Sequence, residues 1–272
     1  GLVPEAASVA DIGADHGYLS IFIEKTKSPK KIIAADINEK PLLSAKNNVK
    51  KTGCTKIETR LSDGLEDIKT GEVDTVIIAC KPYQIEKVLT EIQSELKGKT
   101  LISVAAGWVF ETFNKILKDQ VRIQCVMPNT PSMVGEGVLL FEKTSSLEKE
   151  ELVQVKDLFS SLGMIEELDS SLMGIGGAIS GCGPAFMDLI MESYADAAVK
   201  YGISRDVAYR LVSQTMLGSA KLQQITNSHP GVLKDAVCSP NGTTIRGVDS
   251  LEKNGLRGAC ISSIDVIMDF KK

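Results

Sequence analysis

A chain of 272 residues with 43% hydrophobic side chains can bury a full core, either as one large α/β domain or as a nucleotide-binding domain plus a smaller one. A net charge of -4 gives no bulk attraction to nucleic acid, so none is expected as a partner. Six scattered cysteines with no C-x-x-C pair, and only two histidines, argue against a metal site and suit reduced thiols in a cytoplasmic protein. No apolar run approaches the ~20 residues of a membrane span, and no charged-then-apolar leader opens the chain. The start at Gly1-Leu2-Val3-Pro4, without methionine, suggests a processed or tag-cleaved end.

The first half alternates short β-rich runs with helical stretches. Val9–Gly13 reads as a strand entering a turn, with a helix from about Tyr18 to Lys25; Lys31–Asp36 is a second strand, and Pro41–Lys51 a second helix. Further strands are expected at Ile57–Leu61, Val73–Ala79, Thr100–Ala105 and Arg122–Met127, with a helix over Gln84–Glu95. Strands without polar alternation, separated by helices, imply a parallel sheet covered on both faces. The fold class is therefore α/β, a doubly wound Rossmann-like parallel sheet.

After about Asp169 the strands stop. Pro184 suits a first helical turn, and Phe186, Leu189, Ile190, Tyr194, Ala197, Ala198 and Tyr201 follow at helical spacing up to Gly202. Ser204 is a candidate N-cap for the next helix, and two more are expected at Thr243–Lys253 and Leu256–Phe270, separated by Asn254-Gly255. The chain thus divides into a nucleotide-binding domain, 1–168, and an all-helical domain, 169–272. So small a helical unit has little area to bury by itself, so a homodimer or higher homo-oligomer through this domain is expected, with Met187 and Met191 as core or interface filler.

The first strand-to-helix turn, Asp11-Ile12-Gly13-Ala14-Asp15-His16-Gly17-Tyr18, lacks the G-x-G-x-x-G that lets backbone approach a pyrophosphate. Two glycines four apart still permit a close turn. His16 beside Asp15 is read as packing or hydrogen-bonding locally rather than as a catalyst. This turn, together with "AADINEKPLLSAKNNVKKTG" and "GEVDTVIIA", resembles the first three βα units of bacterial tRNA adenine-N1 methyltransferases, so residues 1–79 look methyltransferase-like. That resemblance implies a site for S-adenosylmethionine: Asp11, Gly13 and Gly17 in the turn, Asp36 on the ribose hydroxyls, and Asp63 near the adenine. The family's Gly-rich segment after the fourth strand and its helical C-terminal region are missing, so methyl transfer to RNA is not expected.

From Ala79 onward a different pattern takes over. Ala79-Cys80-Lys81-Pro82, Ser103-Val104-Ala105-Ala106-Gly107 and Met127-Pro128-Asn129-Thr130-Pro131 stand at successive strand ends, and Ser180–Ala185 and His229–Thr244 follow in the helical region. These segments resemble pyrroline-5-carboxylate reductases, making 80–168 reductase-like and 169–272 the substrate and dimerisation domain. The resemblance implies NAD(P)H-dependent reduction of the small-molecule substrate 1-pyrroline-5-carboxylate to proline. Ala79, Lys81, Pro82, Ala105, Ala106 and Asn129 would serve the cofactor, and Ser239, Asn241, Gly242, Thr243 and Thr244 the substrate. Asn241-Gly242-Thr243 opens a helix whose free N–H groups suit a carboxylate, and Thr244 would hydrogen-bond the imine nitrogen as the catalytic residue.

The two resemblances meet inside Val73–Ala79, a strand both folds possess in the order 3-2-1-4-5. An engineered chimera is the expected origin. Exchange of the first turn should impair the reductase activity, and Asp36 should repel a 2′-phosphate, leaving NADH preferred over NADPH. The alternatives are a module that binds adenosylmethionine without turnover, or a folded hybrid with no retained ligand.

Overall fold

The computed structural model describes residues 8–27, 29–63, 65–69, 73–118 and 120–270; the opening Gly1–Pro4 lies outside them. The six expected runs become the strands β1 (Ser8–Ile12), β2 (Lys31–Asp36), β3 (Ile57–Leu61), β4 (Thr75–Ile78), β5 (Thr100–Ser103) and β6 (Arg122–Met127); β3, with Glu58, Thr59 and Arg60, is the polar one at the sheet edge. All pair in parallel in the order 3-2-1-4-5-6, with β1 flanked by β2 and β4. The sheet therefore runs without a break across the strand at which the two sequence patterns meet.

Helices α1 (Tyr18–Thr26), α2 (Glu39–Thr52), α3 (Leu65–Lys69), α4 (Pro82–Ile92) and α5 (Phe110–Leu117) make the crossovers. Successive residues of a strand point to opposite faces, and the sheet uses both. Val76 and Ile78 join Ile85, Leu89, Phe113 and Leu117 in one core; Ile77 joins Val9, Ile23, Val126 and Phe159 in the other. Such two-sided burial explains why the central strands β1, β4 and β5 are buried along their whole length.

Two further strands extend the sheet beyond what the sequence pattern indicated. β7 (Gly137–Glu142) runs antiparallel to β6, and β8 (Gly163–Leu168) parallel to β7, with helix α6 (Lys149–Phe159) between them. The sheet has eight strands and is mixed at this edge, not wholly parallel. A capping box starts α6, with Glu148 and Glu151 each accepting from the other's end of the first turn.

The chain divides into two compact units between Gly181 and Cys182, whereas the composition change suggested Asp169. The intervening helix α7 (Met173–Gly177) belongs to the sheet unit because Met173 and Ala178 are buried there. A π-turn over Ala178–Cys182 then leads into α8 (Gly183–Lys200), with Pro184 in its first turn. Ser170–Lys200 joins these pieces into one helical stretch that, by length and by the composition of an 18-residue window of mean hydropathy 1.2, is long and apolar enough to cross a membrane, a test that core helices also pass.

The second unit contains α8, α9 (Arg205–Thr226), α10 (Pro230–Ala236), α11 (Thr243–Lys253) and α12 (Leu256–Phe270). Among its described residues only Ala195 and Ala208 are buried, while Leu189, Leu211, Leu217, Leu222 and Ile225 stand more than half exposed.

Candidate active site

The site grows from the point where β1's neighbours lead off in opposite directions, the switch point at which open α/β sheets bind ligands. Leaving β1, the chain turns through Gly13 in the left-handed region (φ 77°), and the Gly13 and Ala14 N–H groups both donate to Ala35 O at 2.9 and 3.0 Å. A Cβ on Gly13 would lie 2.8 Å from Cys80 N and 2.9 Å from its Cα. No side chain fits there, so the turn of the leading segment touches the backbone that follows β4. Gly17 (φ 72°) precedes α1, where a Cβ would press on Ala45 of α2 at 3.0 Å.

Asp36, at the end of β2, is 7% exposed. Its Oδ2 accepts from Asp15 N at 3.1 Å, and its Oδ1 from Asn38 N at 2.8 Å and Asn38 Nδ2 at 3.2 Å. A carboxylate offers about four lone-pair sites, so the group is fixed in place with acceptor capacity to spare. Asp15 holds a left-handed conformation (φ 48°) to make its contact. His16 bonds through Nδ1 to Ser44 Oγ at 2.8 Å, the local role read from the sequence.

A cavity of about 370 Å³ opens above these residues. Of the expected cofactor residues it brings together Gly13, Asp36, Asp63, Ala79 and Lys81, drawn from both sequence patterns. Asn38, Ser62, Cys80 and Gln84 also line it and were not anticipated. An Asx residue two positions beyond a strand-end aspartate was the available signal for Asn38. Burial pushes the Cys80 thiol above its ordinary pKa, which leaves it a poor nucleophile.

Other expected residues lie elsewhere. Asp11 sits beneath the turn, 1% exposed, with Ser20 Oγ donating to its Oδ2 at 2.6 Å and its Oδ1 without a partner. Burial raises this carboxyl to about 6, opposed by the Ser20 hydrogen bond and reinforced by the nearby Asp36 charge. Pro82 opens α4, where its missing N–H costs nothing. Ala105 is buried and donates to Ser103 Oγ at 3.3 Å, and Ala106 is exposed in the following turn. Asn129 spends both ends of its amide on structure: Nδ2 donates to Ser180 O at 2.9 Å, and Oδ1 accepts from Val138 N at 2.8 Å.

In the helical unit, Gly242 precedes α11 and its N–H donates to Ser239 O at 3.0 Å. A Cβ at this position would lie 2.4 Å from Ser239 Oγ. Asn241 takes a left-handed conformation (φ 57°), held by Arg246 Nη2 at 2.8 Å, a contribution the sequence pattern did not flag. No side chain caps the helix, so its first N–H groups point outward beside the exposed Thr243 and Thr244. His229 accepts from Gly231 N at 3.0 Å and so starts α10 as a cap.

Comparison with known proteins agrees with both patterns. Residues 170–271 match the family model for pyrroline-5-carboxylate reductase dimerisation, and residues 1–119 match that for a methyltransferase domain. The second match runs past Ala79, into residues whose pattern resembles the reductases. The pyrroline-5-carboxylate reductase of Treponema pallidum is 39% identical over 193 residues, 70% of this chain and 73% of the relative. That of Synechocystis is 35% identical over 245 residues, 90% and 88% of the two chains, a match that reaches into the leading segment. The solved structure of the Plasmodium falciparum pyrroline carboxylate reductase, with NADP bound, superimposes with a TM-score of 0.82 at 29% identity over 98% of both chains. With relatives this similar over most of its length, the chain belongs to the pyrroline-5-carboxylate reductase family.

Proposed function

We propose that this protein reduces 1-pyrroline-5-carboxylate to proline with a reduced nicotinamide dinucleotide, working as a homodimer or higher homo-oligomer. Family membership together with the uncapped start of α11 carries the reading. The substrate's carboxylate is held by the N–H groups at Asn241-Gly242-Thr243, and Arg246 and Ser239 keep that turn in shape. Thr244 presents its hydroxyl to the imine nitrogen. The bound dinucleotide supplies the hydride. Asp36 supports an adenosine at the sheet edge, because its carboxylate is immobilised yet still able to accept from ribose hydroxyls. The homodimer is supported by the dimerisation match and by apolar side chains left uncovered on α8 and α9. Six free cysteines support a cytoplasmic setting.

The same site supports an altered cofactor preference. Asp36 stands where a 2′-phosphate would be repelled, favouring NADH over NADPH, and the first turn lacks the glycine spacing that cradles a pyrophosphate. Turnover should therefore fall below that of an ordinary family member, as expected of a recombined chain. Steady-state kinetics with both nucleotides test this: kcat/KM should be higher with NADH, and Asp36→Asn should narrow the gap. A preference for NADPH in the unmodified protein would refute the assignment of Asp36. A turnover at the family's usual level would refute the impairment.

A second reading is favoured by the match over residues 1–119 and by Asp36 and Asp63 sharing one cavity: the protein binds S-adenosylmethionine without transferring its methyl group. Thermal shift with NADH, NADPH, adenosylmethionine and a proline analogue separates the readings, since ligands of the folded state raise its melting point.

A further inference from the structure

We propose that adenosylmethionine and the nicotinamide dinucleotide exclude one another from the Asp36 cavity, so that an adenosyl sulfonium compound is a competitive inhibitor of the reductase. This rests on both readings above and concerns how they combine in one molecule.

Both ligands carry an adenosine with free ribose hydroxyls, and Asp36 is the strand-end carboxylate fixed to receive such hydroxyls. The cavity around it is about 370 Å³, near the lower end of the range of about 300–1,000 Å³ for small-molecule sites. Two nucleosides cannot share it. Its floor is equally fixed, because Gly13 lies against the Cys80 backbone and leaves no slack for the turn to retreat.

Charge then sets which ligand wins. Among the lining residues, Lys87 pairs with Glu91 at 3.8 Å, while Lys81 stands against Asp15, Asp36 and Asp63. An acidic lining favours a ligand carrying a sulfonium cation and disfavours one carrying two phosphates. The carboxylates that weaken the dinucleotide are thus the same groups that favour its competitor. Adenosylhomocysteine, whose sulfur is a neutral thioether, should displace less well than adenosylmethionine.

The test is a fluorescence titration of NADH against the full-length protein at several fixed concentrations of adenosylmethionine, paired with initial rates. The apparent dissociation constant for NADH should rise in proportion to adenosylmethionine, about tenfold when the competitor stands at ten times its own dissociation constant. KM for NADH should rise likewise with kcat unchanged. Asp63→Asn should reduce the advantage of the sulfonium over the thioether. NADH binding that is indifferent to saturating adenosylmethionine would overturn the proposal while leaving the reductase reading intact. A thioether that competes as well as the sulfonium would overturn the charge argument. Absence of binding by either ligand would overturn the functional readings along with it.

Discussion

The sheet unit and the helical unit solve the problem of burial in opposite ways. In the first, both faces of the central strands of an eight-stranded sheet are packed, and large side chains such as Phe113, Phe141 and Phe159 are fully buried. In the second, helices of up to 22 residues leave only two alanines buried among the described residues. A leucine moved fully from water into a core stabilises by about 1.5–3 kcal/mol. Five such side chains left uncovered on α8 and α9 forgo about 10 kcal/mol, the size of a whole domain's net stability. The difference teaches that the first unit completes itself, while the second leaves apolar surface uncovered, as the proposed homo-oligomer requires.

The most severe way to break this comparison is the double change Leu211→Glu and Leu222→Glu on α9, which places two charges on the uncovered apolar surface. Light scattering should report monomers, and the melting point should fall by about 10 °C or more. The unmodified protein's melting point should rise with its concentration. A concentration-independent melt of a monomer would remove the contrast altogether.

A smaller effect is expected where the sheet unit is tightest. Gly13→Ala adds a methyl group 2.8 Å from Cys80 N in a left-handed conformation. Overpacking and backbone strain together cost about 2–5 kcal/mol. Chemical denaturation should show this loss with the oligomeric state unchanged.

Asp11 adds a pH dependence to the same unit. Its pKa is raised from 3.8 to about 6, so between those values the folded chain binds more protons than the unfolded one. Stability from this group is therefore present at low pH and lost as pH rises, by about 3 kcal/mol across the window from about pH 4 to 6. Compared with Asp11→Asn, the unmodified protein should lose that much relative stability between pH 4 and 7. A difference that stays flat with pH would show the carboxyl to be ordinary.

The smallest effect is expected from Asp15→Gly. Release of left-handed strain gains about 1 kcal/mol, and the added freedom of the unfolded chain removes about 0.4–1 kcal/mol. Stability should barely move, while the cavity loses one carboxylate and NADH affinity should rise.

The same contrast governs how much could be read from sequence. The central strands β1, β2, β4 and β5 were legible because they are short, largely apolar runs buried on both faces, and the helices of the second half because Pro, Gly and Asn mark their ends. β7 and β8 were not. Val138-Leu139-Leu140-Phe141 is short enough to belong to a helix or a strand, and the Glu166-Glu167 pair on β8 hides its pairing. For the site, the two resemblances named Asp36, Asp63, Ala79 and Lys81, and the cavity at the strand ends brings these four together. Asn129, which the reductase resemblance gave to the cofactor, has a structural part that no local pattern marks: its amide bonds Val138 and Ser180, partners 9 and 51 residues away.

The contact between Gly13 and Cys80 has a consequence for inheritance. Whole βα units can be traded between nucleotide-binding sheets because strand spacing and register are common property. Any unit placed before β4 must nevertheless bring a bare α-carbon opposite residue 80, since the backbone there already occupies the space a methyl would need. Compatibility between the two sequence patterns is thereby reduced, at this junction, to the absence of a single atom.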